Sequence, residues 1–391
     1  MRFSWTLACP AIFLTIFPYF LFHLTTWSLP SVTSRYDVTP PTTYTTPILI
    51  HTATPTKDVL LITSLTPTTN CHSPKCKVHN STVRHQLPPP AYTPPQSVQQ
   101  WLPNNPPITD VSGVKLLINP SRLCDSPRAL DFLMLVESAV TNSARRTAIR
   151  DTFARRDLFR DVTQRVAFLL GATPDPVTSR KIADEAAEFR DVIQGDFLDS
   201  YNNLTLKGLV GFQWVTRFCS SARVVVKLDD DVLVNVYRLA EKILPMFSGH
   251  TRHQIACKLW KNGTSRIKRG EVKHAVESSK FAGVTFYPFQ YCWGFFVIMS
   301  ADLIPAILEA AKVTPYFWIE DVYLFGLLPL TIGDVTVLDV GRNLTSFYAQ
   351  SNKCLRVKRD RCEYFVMKAG HRQVEETRDF ARLWSLLDKY K

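Results

Sequence analysis

The chain has 391 residues, a hydrophobic fraction of 46% and a formal net charge of +12. This length allows two or three domains, and the hydrophobic fraction is ordinary for a globular protein with a sizeable core. A positive balance suits an anionic substrate or surface, but no block of Lys and Arg is long enough for a nucleic-acid-binding arm. We therefore predict no nucleic-acid partner.

The N-terminus carries an apolar stretch from Phe3 to Leu24, preceded by Arg2. About twenty such residues are enough for a membrane-spanning helix. The stretch is longer than the apolar core of most signal peptides, and no clear Ala-x-Ala site follows it. We predict a type II signal anchor, with residues 1–4 cytoplasmic, 5–27 in the membrane and the rest luminal. A cleaved signal, with a mature N-terminus near residues 28–34, is the alternative.

Residues 28–125 are rich in Pro, Thr and Ser. Such a composition buries too little apolar surface to offset the entropy of the chain, so we predict an extended, disordered stem. The globular domain then covers residues 126–391.

Short apolar runs alternate with helical patterns in that domain. Strands are predicted at Phe132–Val136, Val166–Leu170 and Val224–Val226, and helices at Arg145–Arg155 and Thr178–Phe189. This alternation is typical of an α/β fold with a largely parallel sheet.

Cysteines and glycosylation motifs favour a luminal location. Cys9 lies in the apolar stretch, and the eight others form an even set that is compatible with disulfides of unknown pairing. Asn-x-Thr/Ser motifs occur at Asn80, Asn203, Asn262 and Asn343.

An acidic triplet, Asp229–Asp231, follows the predicted strand at Val224–Val226. Three adjacent carboxylates at the end of a buried strand repel one another, and a divalent cation with a bound phosphate would neutralise them. If the segment is extended, Asp229 and Asp231 share one face. A solvated acidic turn is the alternative.

Three further groups are candidates for chemistry. Arg146 and Arg150 share one face of a predicted helix and suit phosphate or a nucleobase, although a solvated basic helix has the same pattern. Glu320 and Asp321 lie among apolar residues, where burial can raise a carboxyl pKa. They are equally compatible with a helix N-terminus. His371 is a single histidine of the kind that is usually structural.

From about Phe132 onwards the chain resembles the β-1,3-glycosyltransferases of the galactosyl and N-acetylglucosaminyl type, which have animal Golgi members. The matching segments, in the order of that family, are RRTAIRDTF, VAFLLG, DVIQGDFLDSYNNLTLKGLVGFQW, FCSSARVVVKLDDDVLVN, YCWG, EDVYLFG and HRQVEETRDFARLW. The resemblance implies a GT-A fold with a nucleotide-binding half and an acceptor-binding half. It also implies an inverting, Mn²⁺-dependent transfer of a hexose from a UDP-sugar to an acceptor glycan, with galactose first and N-acetylglucosamine second.

The resemblance also assigns roles to individual residues. By similarity Asp321 would be the general base and Glu320 would shape the acceptor pocket. Asp231 and His371 would bind the metal ion. Asp229 and Asp230 would lie near the ribose of the donor and the metal, and Arg146 and Arg150 would lie at its uridine end.

The sequence departs from this family at YCWGFF, where members have a small, glycine-rich run. Trp293, Phe295 and Phe296 would fill space near the sugar or the acceptor. A catalytically silent luminal protein, acting as a binding partner of an active transferase, is therefore the rival hypothesis.

Overall fold

The computed structural model describes residues 92–108, 111–126, 128–247, 249, 251–368 and 373–390. The predicted anchor, most of the predicted stem, Asn80 and His371 lie outside these residues. Within the described ranges, no helix combines the length and apolar character that a bilayer span requires.

The described residues contain eleven strands in two sheets. In chain order they are β1 (Leu116–Ile118), β2 (Leu130–Glu137), β3 (Gln164–Ala172), β4 (Val192–Leu198), β5 (Ala222–Asp229), β6 (Val232–Val234), β7 (Gln254–Trp260), β8 (Tyr291–Ser300), β9 (Thr336–Asp339), β10 (Leu344–Thr345) and β11 (Val366–Lys368). The large sheet has the order β1-β4-β3-β2-β5-β8-β7-β9, and the small one the order β10-β11-β6.

Strands β2 to β5 form a parallel block in the large sheet. They are almost continuously apolar and buried, as expected for parallel strands that are covered on both faces. Beyond β5 the sheet changes direction, because β8 runs antiparallel to both β5 and β7. The carboxyl end of β5 therefore lies at the change from parallel to antiparallel pairing, where open α/β sheets bind ligands.

Helices cover both faces of the large sheet. They are α1 (Gln96–Trp101), α2 (Ser143–Arg150), α3 (Pro176–Phe189), α4 (Leu204–Phe218), α5 (Val236–Lys242), α6 (Leu303–Ala311), α7 (Glu320–Val322), α8 (Leu328–Ile332), α9 (Tyr348–Lys358) and α10 (Gln373–Leu387). A π-helical turn, Tyr323–Leu327, joins α7 to α8. Asp175 caps α3 by accepting from the backbone of Val177 and Thr178.

Two apolar cores lie on opposite faces of the large sheet. In β2, Phe132 and Met134 belong to one core, while Leu133 and Leu135 belong to the other. This follows from the alternation of side chains along a strand. Helices α4 and α6 complete the core of Leu133, and α2 and α10 complete that of Phe132. The mixed α/β architecture with one large sheet is thus established.

The predicted strands and helices are present, with different ends. Each predicted strand extends by two or more residues, and the helix predicted at Arg145–Arg155 ends at Arg150. The chain then forms turns that bring Phe153 into the core.

The boundary predicted between residues 125 and 126 is wrong, because the preceding segment is folded. Helix α1 buries Val98, β1 pairs with β4, and Cys124 forms a disulfide with Cys219. Proline-rich composition concealed these few apolar residues, which need the rest of the domain to bury them. Two further disulfides, Cys257–Cys292 and Cys354–Cys362, confirm the expectation from the cysteine count.

Candidate active site

The acidic triplet lies where β5 ends. Asp229 is the last residue of β5 and is paired in register with Glu137, the last residue of β2. Asp230 and Asp231 form a turn before β6 begins. The triplet is therefore not one extended segment, and each of its carboxylates has its own surroundings.

Asp230 holds the loop after β2. It is buried, and it accepts hydrogen bonds from Ser138 Oγ at 2.7 Å and Asn142 Nδ2 at 2.9 Å. Arg145 Nη1 donates to its other oxygen at 2.8 Å. Asp230 thus fixes the start of α2 against the end of β5.

Lys227 lies at the centre of a buried group of acids. Its side chain is 1% exposed, and Nζ lies 2.8 Å from Glu320, 3.2 Å from Glu137 and 3.2 Å from Asp229. It also donates to the carbonyl oxygen of Gly294 at 2.9 Å. One buried cation thus faces two buried carboxylates, of Glu137 and Glu320, and the partly exposed carboxylate of Asp229.

These neighbours shift one another's pKa values. Burial raises the pKa of Glu137, and it raises the pKa of Glu320 well above its ordinary value, against the opposing effect of Lys227. Burial by itself lowers the pKa of Lys227, but the surrounding carboxylates raise it well above its ordinary value. Lys227 therefore stays charged, and the acids compete for the one positive charge.

Asp321 lies at the edge of this group. Burial raises the pKa of its carboxyl to about 6, while Lys227 and a hydrogen bond from the backbone N–H of Gly294 lower it. Gly294 is in close contact, since a Cβ there would overlap Asp321 Oδ1. Glu320 points into the buried group whereas Asp321 is partly exposed, because consecutive residues on a helix differ in direction by about 100°.

A cavity of about 300 Å³ begins at Asp321. Its wall is largely aromatic, with Trp260, Trp293, Tyr287 and Tyr291. The ring centroids of the two tryptophans are 6.3 Å apart. A carboxylate with a raised pKa thus faces a space shaped for a ligand with apolar faces.

Asp231 lies on the other side of the triplet. Lys368 Nζ, on β11, lies 2.8 Å from its Oδ2, and its Oδ1 is buried without a hydrogen-bond partner. Burial and the nearby Asp229 raise its pKa. An unpartnered carboxylate oxygen beside a second acid fits a divalent cation.

His371 follows Lys368 by three residues in the sequence and lies outside the described residues. In the part of the chain that the structure covers, no three His, Cys, Asp or Glu side chains form a cation site by themselves. The assignment of Asp231 and His371 to a metal remains a prediction.

Arg146 and Arg150 both bind internal carboxylates. Arg146 is fully buried and forms two hydrogen bonds with Glu185, at 2.8 and 2.7 Å. Arg150 likewise forms two hydrogen bonds with Asp191, at 2.8 and 2.7 Å, and its guanidinium lies over the ring of Phe189. Through Ser138 Oγ, at 3.1 Å, Arg146 is connected to Asp230. Their predicted contact with the donor is untested, and in the structure they join α2 to α3 and β4.

The described glycosylation motifs differ in accessibility. Asn262 lies exposed in a turn. The amides of Asn203 and Asn343 donate to the carbonyl oxygens of Leu198 and Glu363, at 2.8 and 3.1 Å. Their modification remains a prediction.

Known proteins of similar sequence are glycosyltransferases. The sequence model of the Galactosyltransferase family matches residues 144–337, a range that contains the acidic triplet and Asp321. Beta-1,3-galactosyltransferase 1 of Mus musculus is 33% identical over 211 residues, which are 54% of this chain and 63% of the mouse protein. Lactosylceramide 1,3-N-acetyl-beta-D-glucosaminyltransferase A of Xenopus laevis is 33% identical over 243 residues, or 57% of this chain and 61% of that protein.

The chain is thus similar to the Galactosyltransferase family and to β-1,3-glycosyltransferases of both the galactosyl and the N-acetylglucosaminyl type. The match spans a little over three fifths of the length of these relatives. A solved structure titled as a glycosyltransferase involved in the glycosylation of the major capsid of PBCV-1 aligns with 64% of this chain and 98% of its own. Its sequence identity is 10% and its TM-score 0.36.

Two of the three aromatic residues that depart from the β-1,3-glycosyltransferase pattern are core residues. Phe296 is fully buried and packs on Phe365, and Phe295 is 6% exposed. Only Trp293 is half-exposed, and it lines the cavity at Asp321. The departure therefore changes the wall of the cavity at one position.

Sequence reasoning missed Lys227, Glu137 and Gly294. Lys227 interrupts an apolar strand two residues before Asp229, so strand alternation places both on one face. That pattern in the sequence could have identified Lys227. The contact of Gly294 with Asp321 could not have been predicted in this way, because it joins residues from two distant segments, β8 and α7.

Proposed function

We propose that this protein is an inverting glycosyltransferase that moves a hexose from a UDP-sugar to an acceptor glycan in β-1,3 linkage, using a GT-A arrangement. The observation that supports this most strongly is the position of Asp321. Its partly exposed carboxyl, with a pKa raised to about 6, lines a cavity that contains four Trp and Tyr side chains, and it lies close enough to Asp229 for that acid to raise its pKa. A base whose pKa lies near the working pH is well suited to proton transfer.

In this mechanism Asp321 removes the proton from an acceptor hydroxyl. The oxygen forms a bond to the anomeric carbon of the donor while the bond from that carbon to the UDP oxygen breaks on the opposite face. The electron pair leaves with UDP, and the proton stays on Asp321. One displacement inverts an α-linked donor to a β product and needs a single carboxylate, unlike the pair used by glycosidases.

Asp231, with its unpartnered Oδ1, and the neighbouring Asp229 would hold a Mn²⁺ ion together with His371. When bound, the ion supplies positive charge that stabilises the departing diphosphate. Asp230 keeps the β2–α2 loop in position beside it. Glu320, which binds Lys227 from within the buried group, keeps α7 and thus Asp321 in place.

Galactose is the first choice of donor, and N-acetylglucosamine is the second. The Mus musculus relative carries galactosyltransferase in its name, and the Xenopus laevis relative N-acetylglucosaminyltransferase, at the same 33% identity. A membrane-anchored, luminal location in the Golgi agrees with three disulfides, since disulfides persist in oxidising compartments.

The deciding experiment is UDP release by the full chain with Mn²⁺, across UDP-galactose, UDP-N-acetylglucosamine and simple β-linked acceptors. We expect release that depends on metal and acceptor with one donor. In Asp321→Asn, transfer should fall by at least a thousandfold while UDP binding stays within about twofold, because a nearly isosteric amide cannot accept the proton.

Asp184→Asn is the matched control, because it removes one exposed carboxylate from α3 that does not line the cavity. It should leave the rate unchanged. Transfer that persists in Asp321→Asn would remove this residue from the role of base. Binding of UDP without transfer to any acceptor in the native chain would favour a silent binding partner of an active transferase.

A further inference from the structure

The wall of the cavity at Asp321 has a basic side that the transfer reaction does not explain. Arg266 and Lys268 line it together with the tryptophans, and both are exposed. They belong to the segment 258–291, which carries seven Lys or Arg residues and two Glu, a net charge of +5 out of +12 for the protein. This segment thus places a net positive charge beside the candidate active site.

Most other cations of this segment have internal roles. Arg269 donates to the carbonyl oxygens of Val276 and Phe281, at 3.0 and 2.9 Å, and so holds the loop together. Lys273 lies 4.2 Å from the ring centroid of Tyr201. In contrast, Arg266 and Lys268 form no ion pair with any residue that the structure describes. They are therefore available to a ligand.

Lys258 and Lys280 also have partners within the protein. Lys258 Nζ lies 4.6 Å from the ring centroid of Trp293, and Lys280 Nζ lies 3.2 Å from Glu277. The cation of Lys258 also fixes the plane of the Trp293 ring. A flat aromatic surface of this kind suits the apolar face of a sugar ring.

Among the polar groups that the structure describes in the wall of this cavity, Asp321 is the one acid. His274 accepts or donates a hydrogen bond with the hydroxyl of Tyr201 at 2.6 Å, and burial, Lys268 and Lys273 lower its pKa. It is neutral at pH 7.

Arg266 also lines a second cavity of about 810 Å³, whose wall includes Glu277, the partner of Lys280. The two cavities thus share Arg266 as a wall residue. A ligand that occupies the space at Asp321 and continues past Arg266 is longer than a single sugar, and it passes a free guanidinium group on the way. Guanidinium groups bind carboxylate and sulfate oxygens through paired hydrogen bonds.

We propose that the acceptor is an anionic oligosaccharide, whose carboxylate or sulfate group binds Arg266 and Lys268 while a neighbouring sugar ring lies against Trp293. This inference rests on the proposed transferase function and names its substrate class. The basic segment also attracts such a ligand from solution, an effect that added salt weakens.

The test is equilibrium binding of three oligosaccharides to the full chain, in the presence of Mn²⁺ and UDP. The probes share one neutral β-linked core, which is unmodified, carries a terminal hexuronic acid or carries a sulfate ester. We expect at least one anionic probe to bind about tenfold or more tightly than the neutral one at low salt. The two anionic probes distinguish a carboxylate from a sulfate as the preferred group.

In the double variant Arg266→Gln/Lys268→Gln, this preference should fall to less than twofold, with the affinity for UDP unchanged. Arg180→Gln/Lys181→Gln is the matched control, since it removes one exposed Arg and one exposed Lys from α3. It should keep the preference.

The outcomes separate this inference from the proposed function. Equal binding of neutral and anionic probes, absence of binding by all three, or a loss of UDP binding in the double variant overturns the anionic acceptor. Efficient transfer to the neutral core alone overturns it while leaving the transferase function intact. Selective binding of an anionic probe without transfer supports the anionic site and refutes the transferase function.

Discussion

The carboxyl group of Asp321 is the residue whose surroundings can be read most directly as chemistry. Its pKa is raised to about 6 by burial, so it is largely protonated below that pH and ionised above it. A general base works only when ionised. The environment of one residue therefore sets the pH range of the proposed reaction.

We expect the rate of transfer, measured as kcat/KM, to rise with pH through about 6 and to fall tenfold per pH unit well below it. The measurement is a pH profile at constant ionic strength, with UDP binding followed at the same pH values. A profile that is flat between pH 5 and 7, with UDP binding also constant, would contradict the role of Asp321.

Gly294 tests the position of Asp321 without changing its chemistry. A Cβ at residue 294 overlaps Asp321 Oδ1, so Gly294→Ala should displace the carboxylate. Misplacement by about 1 Å can cost about 100-fold in rate, and we expect a loss of that size in transfer. Thermal unfolding, followed by circular dichroism, should show that the variant still folds.

Gly113→Ala is the matched control, because a Cβ there meets open space. It should change neither rate nor melting temperature. Full activity in Gly294→Ala would show that the carboxylate tolerates this displacement.

Single-residue chemistry was only partly predictable from the sequence. Asp321 and the acidic triplet stand in recognisable motifs, but the pKa of Asp321 depends on Lys227, which lies on β5 and not on α7. Local patterns identify which side chains are acidic. They do not determine which acids share one cation, because that depends on contacts between segments about 90 residues apart.

At the scale of secondary structure, buried ion pairs connect α2 to its neighbours. Arg146 on α2 is fully buried and binds Glu185 on α3 through two hydrogen bonds. A buried charge that loses its partner is costly. This pair therefore makes the position of α2, and of the loop that Asp230 holds, depend on α3.

We expect Glu185→Gln to lower the free energy of unfolding by about 3 kcal/mol, since it leaves the guanidinium of Arg146 without its carboxylate. Urea unfolding of the variant measures this value. Glu188→Gln, an exposed change on the same helix, should stay within about 0.5 kcal/mol of the native chain.

The same variants address the predicted donor contact of Arg146. Unchanged stability together with a large loss of UDP affinity in Glu185→Gln would indicate that this arginine acts on the donor rather than on the fold.

Elements were predicted well where they are long and apolar. The runs that became β2, β3 and β5 are continuously hydrophobic, and their burial on both faces follows from that. Short elements such as β1, with three residues, were missed, because their stability comes from pairing with β4 and not from their own sequence.

At the scale of the whole molecule, the folded region begins earlier than composition indicates. Residues 96–124 contribute a helix, an edge strand and one half of a disulfide. Strand β1 also covers the edge of β4, which would otherwise offer unpaired backbone groups to other chains.

We expect the free energy of unfolding of a fragment that begins at residue 126 to be lower than that of one that begins at residue 92. The expected difference is about 2 to 5 kcal/mol, which is the contribution of the lost disulfide. It should also aggregate, because β4 becomes an open edge and Cys219 a free thiol. Melting temperatures and size-exclusion profiles of the two secreted fragments test this.

Cys124→Ser/Cys219→Ser in the longer fragment isolates the part of the effect that is due to the disulfide. Equal melting temperatures for both fragments would show that the segment before residue 126 adds no stability, as expected for a stem.

The disulfide Cys257–Cys292 has a consequence for how the proposed acceptor site can change between related proteins. The disulfide joins β7 to β8, two paired strands of the large sheet, and it closes the segment 258–291 into a covalent ring. The ring holds Trp260, Arg266 and Lys268, whereas Asp321 and the acidic triplet lie outside it. Changes of length and charge inside the ring alter one wall of the cavity without changing Asp321 or the acidic triplet. In the proposed transferase, this ring is therefore the part where acceptor preference can change while the proposed reaction is kept.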